Sequence, residues 1–171
     1  MKKVAFIFPG QGSQSINMGK DFFDNSNIAQ EMIQNASNRL GFSFEDLLFS
    51  ENNNLSKTEF TQPAILLVSC IALAIFKDKS NIKPEFVMGH SLGEFSALVA
   101  SGAIDYLDAL ELVHKRGLFM NEACSGGGAG MMALVGLSDE IAEKVCEEQR
   151  NIGKKDKYLR EAIIISANTR N

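Results

Sequence analysis

Ser91 stands between two glycines in Gly89-His90-Ser91-Leu92-Gly93, the Gly-x-Ser-x-Gly spacing of a nucleophile elbow. A serine hydroxyl is a weak nucleophile, so it must stand exposed where a base can reach it. A sharp strand-to-helix turn achieves this by forcing the serine backbone into strained angles. Gly89 and Gly93 lack a Cβ, so strand and helix can close around Ser91. The N-terminus of the following helix then aims free N–H groups and a partial positive charge at the site. Those groups suit the oxyanion that forms during acyl transfer. Three small residues in five positions also arise by chance, so the pattern carries weight only in the right structural context.

The flanking residues supply that context. Pro84 precedes the apolar run Phe86–Met88, which reads as a short buried strand. Leu92, Phe95 and Leu98/Val99 follow at helical spacing, and the helix ends at Ser101-Gly102. Near the start, Val4–Phe8 is a continuous apolar run, of the kind that suits a central parallel strand covered on both faces. It leads into Pro9-Gly10-Gln11-Gly12-Ser13-Gln14. Gly10-x-Gly12 opens like a dinucleotide fingerprint, but Ser15 holds the place of the third glycine and there is no Walker lysine at the required offset. A turn that presents a backbone N–H from the end of the first strand is the better use.

Helices fill the interval between these strands. Ile28, Met32, Ala36 and Leu40 recur every fourth residue before Gly41, which predicts an amphipathic helix with a glycine stop. Ser50–Asn54 reads as a polar, solvated connection. Thr61-Gln62-Pro63-Ala64 opens a helix with proline in its first turn, where a missing N–H costs nothing. From Ile65 to Phe76 that helix is apolar nearly all round, which predicts burial on most sides. Gln62 at its mouth is either a cap neighbour or part of a polar site. Asp105 caps a further helix, with Leu107, Leu110, Leu112/Val113 and Leu118 as its apolar face. Arg116 on that helix reads, alone, as solvated surface. His114, two residues earlier, is expected on roughly the opposite face.

Ser125-Gly126-Gly127-Gly128 marks a boundary. Met131–Val135 reads as a strand, Ser138-Asp139 as the cap of a helix carrying Ile141, Val145 and Cys146, Lys154–Lys157 as a charged loop, and Ala162–Ile165 as a second strand. Together they make one β-α-β unit with open strand edges. The organisation expected is an α/β parallel-sheet domain over 1–124, a glycine-rich hinge over 125–130 and an incomplete small subdomain over 131–171.

Composition narrows the function classes. The chain has 171 residues, 45% hydrophobic and 22% charged, with a net charge of −4. That balance is ordinary for a soluble globular protein and argues against general nucleic-acid affinity. Cys70, Cys124 and Cys146 are scattered, with no paired metal spacing and no disulfide framework. Free cysteines fit a reducing cytoplasm. The apolar run after Met1-Lys2-Lys3 is too short for a signal peptide. The most apolar segment, Ala64–Phe76, falls below the ~17 residues that a membrane span needs. The two histidines, His90 and His114, are poor candidates for the base. His90 is adjacent to Ser91, and neighbouring side chains at an elbow diverge; His114 points away if Arg116 points in. The base is therefore expected beyond Asn171, or the chain alone is a poor catalyst.

Phe8-Pro9-Gly10-Gln11-Gly12-Ser13-Gln14, Thr61-Gln62-Pro63-Ala64, Gly89-His90-Ser91-Leu92-Gly93-Glu94 and the helix with Arg116-Gly117 occur in this order and spacing. Together they resemble the N-terminal part of the malonyl-CoA:acyl carrier protein transacylases of bacterial fatty-acid synthesis, a pattern shared with acyltransferase domains of polyketide synthases. The resemblance runs from Met1 to about Arg150. It implies a hydrolase-like parallel-sheet core with an inserted ferredoxin-like subdomain, of which the first half is represented here. It implies that Ser91 takes malonyl from coenzyme A as an ester, that the backbone N–H groups of Gln11 and Leu92 form the oxyanion hole, that Arg116 holds the malonyl carboxylate, and that Gln62 orients Arg116. Gly89, His90 and Gly93 would support the elbow. The malonyl group would pass to the phosphopantetheine thiol of acyl carrier protein in a ping-pong scheme in the cytoplasm, with no metal or redox cofactor. The family's catalytic histidine lies well beyond residue 171, and Lys154–Glu161 departs from the family pattern.

Two other classes stay open. A serine esterase or thioesterase-like hydrolase shares the elbow but has no use for a buried arginine. A truncated, non-catalytic acyl-binding fragment would keep the pocket without turnover. Acyl carrier protein is acidic, so its docking calls for a local basic patch; Lys115, Lys154, Lys155 and Lys157 are the candidates.

Overall fold

The structure, a computed structural model, describes residues 3–124, 129–135, 138, 140, 141, 143–145, 147, 148 and 161–167. It divides into two units, residues 1–118 and 119–171. In the first, strand β1 (Ala5–Phe8) pairs in parallel with β2 (Phe86–Gly89), Ala5 opposite Phe86 and Phe8 opposite Gly89. Parallel neighbours need a crossover. Here it is a layer of helices: α1 (Lys20–Asn25), α2 (Asn27–Leu40), α3 (Phe44–Phe49) and α4 (Thr58–Lys79). Helix α5 (Gly93–Ser101) leaves the end of β2, and α6 (Tyr106–Cys124) follows.

Helix α4 is the hub. Its Ala64, Leu66, Leu67 and Ile71 pack in one cluster with Ala29, Ile33 and Ala36 of α2, Phe44 and Leu48 of α3, and Ala109, Leu110 and Val113 of α6. Phe44, Leu48, Leu66, Leu67 and Ile71 are fully buried, and each such side chain contributes roughly 1.5–3 kcal/mol. The helix ends follow local chemistry. Gly41 closes α2 at φ 75°, a left-handed angle that glycine adopts freely, and its N–H donates to the Ser37 carbonyl at 2.9 Å. Ser43 Oγ accepts from the Asp46 N–H at 3.0 Å and caps α3. Asp105 Oδ1 accepts from the Leu107 N–H at 2.8 Å and caps α6 as the sequence predicts.

Several expectations change. Among the described residues the strands are covered on one face only: Ile7, Phe86 and Met88 are 72%, 58% and 49% exposed. Helix α4 begins at Thr58, not at Thr61, so Pro63 lies inside the helix. At 22 residues it is long and apolar enough to cross a membrane by composition, yet well over half of its apolar window is buried in this protein. The Ser50–Asn54 segment is the largely exposed polar connection expected, and it is ordered: Asn52 Oδ1 accepts from the N–H groups of Asn54 and Leu55, its Nδ2 donates to the carbonyls of Leu47 and Ser50, and a 3-10 turn spans Asn54–Ser56. On α6, Leu112 and Leu118 are exposed, while Ala109, Leu110 and Val113 carry the buried face.

In the second unit, β3 (Ala129–Val135) pairs in parallel with β4 (Glu161–Ala167), Ala129 opposite Glu161 and Val135 opposite Ala167. Ala129 and Gly130, expected in the hinge, belong to β3. Residues 140–141, 143–145 and 147–148 between these strands are helical. The Ser125–Gly128 run, the capping Asp139, Cys146 of the helix face and the charged Lys154–Lys157 lie outside the described residues.

Candidate active site

Both site loops leave the same end of the β1–β2 pair, because the strands are parallel and in register. Crevices outside the carboxyl ends of parallel strands are where open α/β sheets bind ligands. Ser91 has φ 52°, one of two non-glycine residues with positive φ among the described residues. Such a conformation costs on the order of 1–3 kcal/mol and persists only where the surroundings over-determine it. They do so here. The His90 N–H donates to the Phe8 carbonyl at 3.2 Å, the Gly93 N–H to the His90 carbonyl at 2.9 Å, and the Glu94 N–H to the Ser91 carbonyl at 3.1 Å. The Leu92 side chain is fully buried, which pins the residue after the serine.

The glycines make this turn possible by close approach. A Cβ on Gly89 would lie 1.9 Å from the Gly93 carbonyl carbon, and one on Gly93 would lie 2.3 Å from the Phe8 oxygen. A Cβ on Gly10 would lie 2.6 Å from the His90 oxygen and 2.7 Å from His90 Nδ1. The loop after β1 is thus pressed onto the elbow, and the His90 ring packs against it. Gln11 follows Gly10 in that loop, and Leu92 follows Ser91 in the elbow. Among the described residues neither backbone N–H takes part in a hydrogen bond, so both remain available to an oxyanion. The Gln11 side chain is anchored separately, its Nε2 donating to Thr58 Oγ1 at 3.1 Å.

Arg116 is not a solvated surface residue. Its Nη1 donates to Oε1 of the fully buried Gln62 at 2.5 Å, and its Nη2 donates to Ser91 Oγ at 3.2 Å. A guanidinium has five N–H donors in a planar fork, so these two contacts leave donors for a planar anion beside the serine. The approach of α6 to α4 permits this: a Cβ on Gly117 would lie 2.5 Å from the Glu59 Cα. His114 corrects the opposite-face expectation. Its Nδ1 lies 2.8 Å from the Glu59 carbonyl, so His114 and Arg116 both engage α4, at Glu59 and at Gln62. Among the described residues no imidazole bonds Ser91 Oγ. Nor do three His, Cys, Asp or Glu side chains converge to hold a metal ion.

The sequence-predicted residues Ser91, Gln11, Leu92, Arg116, Gln62, Gly89, His90 and Gly93 are therefore gathered at one end of β1–β2. Thr58 and His114 adjoin the same constellation; sequence reasoning missed Thr58 and weighed His114 only as a base. Thr58 and Gln62 are four residues apart on α4 and share a face. That relation is visible in the sequence only if the helix is started three residues before Thr61.

Comparison with known proteins follows the same lines. Residues 5–156 match the acyl transferase domain family. The malonyl CoA-acyl carrier protein transacylase of Staphylococcus aureus (strain COL) is 40% identical over 165 residues, 96% of this chain and 52% of that protein. The crystal structure of the malonyl-CoA:acyl carrier protein transacylase from Helicobacter pylori superposes with a TM-score of 0.78 at 41% identity, over 86% of this chain and 48% of the other. A malonyl-transacylase solved in complex with its type II PKS acyl-carrier protein gives a TM-score of 0.79 at 34% identity, over 87% of this chain and 48% of the other. The chain spans about half the length of the curated relatives it matches. These proteins share its α/β fold, and the chain belongs to the acyl transferase domain family.

Proposed function

We propose that this chain is the N-terminal portion of a transacylase that moves a malonyl group from coenzyme A to the phosphopantetheine thiol of acyl carrier protein, in cytoplasmic fatty-acid synthesis. The observation that carries the reading is the hydrogen-bond chain from buried Gln62 through Arg116 to Ser91 Oγ. A neutral ester needs no such cation. An acyl group ending in a carboxylate does, because a guanidinium takes it through two parallel charge-assisted bonds. Ser91 Oγ attacks the thioester carbonyl, the N–H groups of Gln11 and Leu92 hold the oxyanion, and the C–S bond breaks as the thiol leaves with a proton. In the second half-reaction the carrier's thiol attacks the malonyl-serine ester and Ser91 recovers its proton. His90 packs against Gly10 and His114 bonds Glu59, so the base is assigned to residues outside this chain.

The finer organisation belongs to the same proposal: 1–124 is the front of a hydrolase-like domain, 125–130 a hinge, and 131–171 the first half of a ferredoxin-like subdomain. In a split β-α-β arrangement another strand separates the two parallel ones, so the direct β3–β4 pair would open to admit it. Intact mass after incubation with malonyl-CoA tests the chemistry. One malonyl group is gained in the wild type and none in Ser91→Ala; an adduct that persists in Ser91→Ala refutes the assignment. Arg116→Ala lowers the malonyl-over-acetyl labelling ratio by about 10- to 100-fold, the worth of a charge-assisted bond. An unchanged ratio refutes the clamp.

A further inference from the structure

Pro63 lies inside α4, six residues in. In a regular helix the N–H of residue 63 would donate to the carbonyl of Glu59, and proline has none. An orphaned helix carbonyl needs another donor. His114 Nδ1 lies 2.8 Å from that oxygen. A carbonyl only accepts, so Nδ1 carries the proton in this contact. The His114 ring also packs against Phe42 and Phe60, at centroid distances of 5.8 and 6.2 Å. Three residues further along α6, Gly117 meets the Cα of the same Glu59. Helix α6 thus grips one residue of α4 by its carbonyl and its Cα. Arg116 lies between the two grips in sequence, and Gln62, its partner, lies on the α4 turn that the proline interrupts.

We infer that His114 is a positioning residue for the acyl-carboxylate clamp: by donating from Nδ1 to the Glu59 carbonyl that Pro63 leaves unpaired, it ties α6 to the turn bearing Gln62 and so holds Arg116 over Ser91. The inference rests on the assignment of Arg116 as the clamp. Its logic is local. Pro63 removes a donor from α4, His114 restores one from α6, and the restored bond crosses between the two helices whose relative placement sets the reach of the guanidinium.

The test uses the full-length protein carrying His114→Phe or His114→Asn, beside Arg116→Ala, with malonyl-CoA and acetyl-CoA as donors and Ser91 labelling as the readout. His114→Phe keeps a ring against Phe42 and Phe60 but removes the donor; His114→Asn keeps a donor near the Nδ1 position. The expected result is a fall of about tenfold in the malonyl-over-acetyl ratio for His114→Phe, the scale of one hydrogen bond, carried by KM for malonyl-CoA and largely recovered in His114→Asn. A wild-type ratio in His114→Phe beside a collapsed ratio in Arg116→Ala overturns this inference alone. A wild-type ratio in Arg116→Ala overturns the clamp and this inference with it. Nitrogen-15 spectra of the wild-type protein decide the matter even where the Phe variant fails to fold: a proton on His114 Nδ1 is expected, and a neutral ring protonated only on Nε2 overturns the inference.

Discussion

Gly117→Ala adds one methyl group where α6 crosses α4, and two effects oppose each other. Replacing glycine by alanine inside a helix gains about 1 kcal/mol in propensity. By that argument the variant is more stable. The new Cβ, however, would lie 2.5 Å from the Glu59 Cα, 2.8 Å from the Glu59 N and 2.9 Å from the Thr58 oxygen. Comfortable carbon–carbon contact begins at about 3.5 Å, so the helices must separate by roughly 1 Å. All three neighbours are backbone atoms, and no rotamer change relieves the contact. Overpacking of this kind costs about 1–3 kcal/mol. The net expectation is a loss of about 0–2 kcal/mol after the propensity gain is set against it. The larger effect falls on the site. Arg116 is the preceding residue, and its 3.2 Å contact with Ser91 Oγ does not survive a displacement of that size. Misplacing a positioned group by 1 Å costs up to about 100-fold in rate. Thermal unfolding and the rate of malonyl labelling at Ser91, measured on one preparation, check both halves. A variant that melts higher than wild type and is labelled at the wild-type rate refutes the reasoning.

Other changes discriminate further. Gly93→Ala would put a Cβ 2.3 Å from the Phe8 oxygen; loss of Ser91 labelling together with a lower melting temperature is expected, because the elbow can no longer close on β1. Ser96→Ala is expected to raise the melting temperature, since Ser96 Oγ is buried with no hydrogen-bond partner among the described residues, and an unsatisfied buried hydroxyl costs about 1–3 kcal/mol. Burial, and secondarily the charge of Asp105, pushes the Cys70 thiol up to about 12 from 9.0. Between those values the folded protein keeps a proton that the unfolded chain has released. Stability therefore falls as pH rises through that window, by at most about 1.4 kcal/mol per pH unit. Urea midpoints should fall less steeply in Cys70→Ala than in wild type; parallel curves refute the assignment. Tyr106 is raised in the same direction, mainly by burial and in smallest part by Cys70 itself, so Cys70→Ala removes that small contribution together with the direct effect of the thiol.

The elements nearest the serine were legible because their signals are local. The Gly41 stop of α2, the Asp105 cap of α6 and the Gly-x-Ser-x-Gly turn each need only a few consecutive residues to specify them. The start of α4 was not legible, because a proline at position 63 reads as a helix opening. The Glu59 carbonyl that this proline leaves in the helix is met by a group 55 residues away, His114. The partners of the half-buried Arg116 were hidden for the same reason. A single charged residue on a helix reads as surface until the close approach at Gly117 and the buried Gln62 are known. The strands misled in the other direction. Continuous apolar runs state that a face can be covered, and the described residues cover only one.

The order in which this site comes into being follows from the β1–β2 register. The Gln11 loop and the serine elbow touch, yet about eighty residues of intervening chain separate the strands that carry them. Helices α2, α3 and α4 are close in sequence and can find one another early, since low-separation contacts form fastest. The strand pairing must close the long interval, a step whose entropy is only weakly sensitive to the interval's length: doubling it costs about 0.6 kcal/mol. The two N–H groups proposed as oxyanion donors therefore converge only when that closure is made. During synthesis the first loop is exposed for the time needed to translate the whole helical layer, and no strained serine exists for it to meet. On the proposed chemistry, a chain that has folded its helices but not paired its strands is silent at Ser91, so labelling there would report completed folding of this unit.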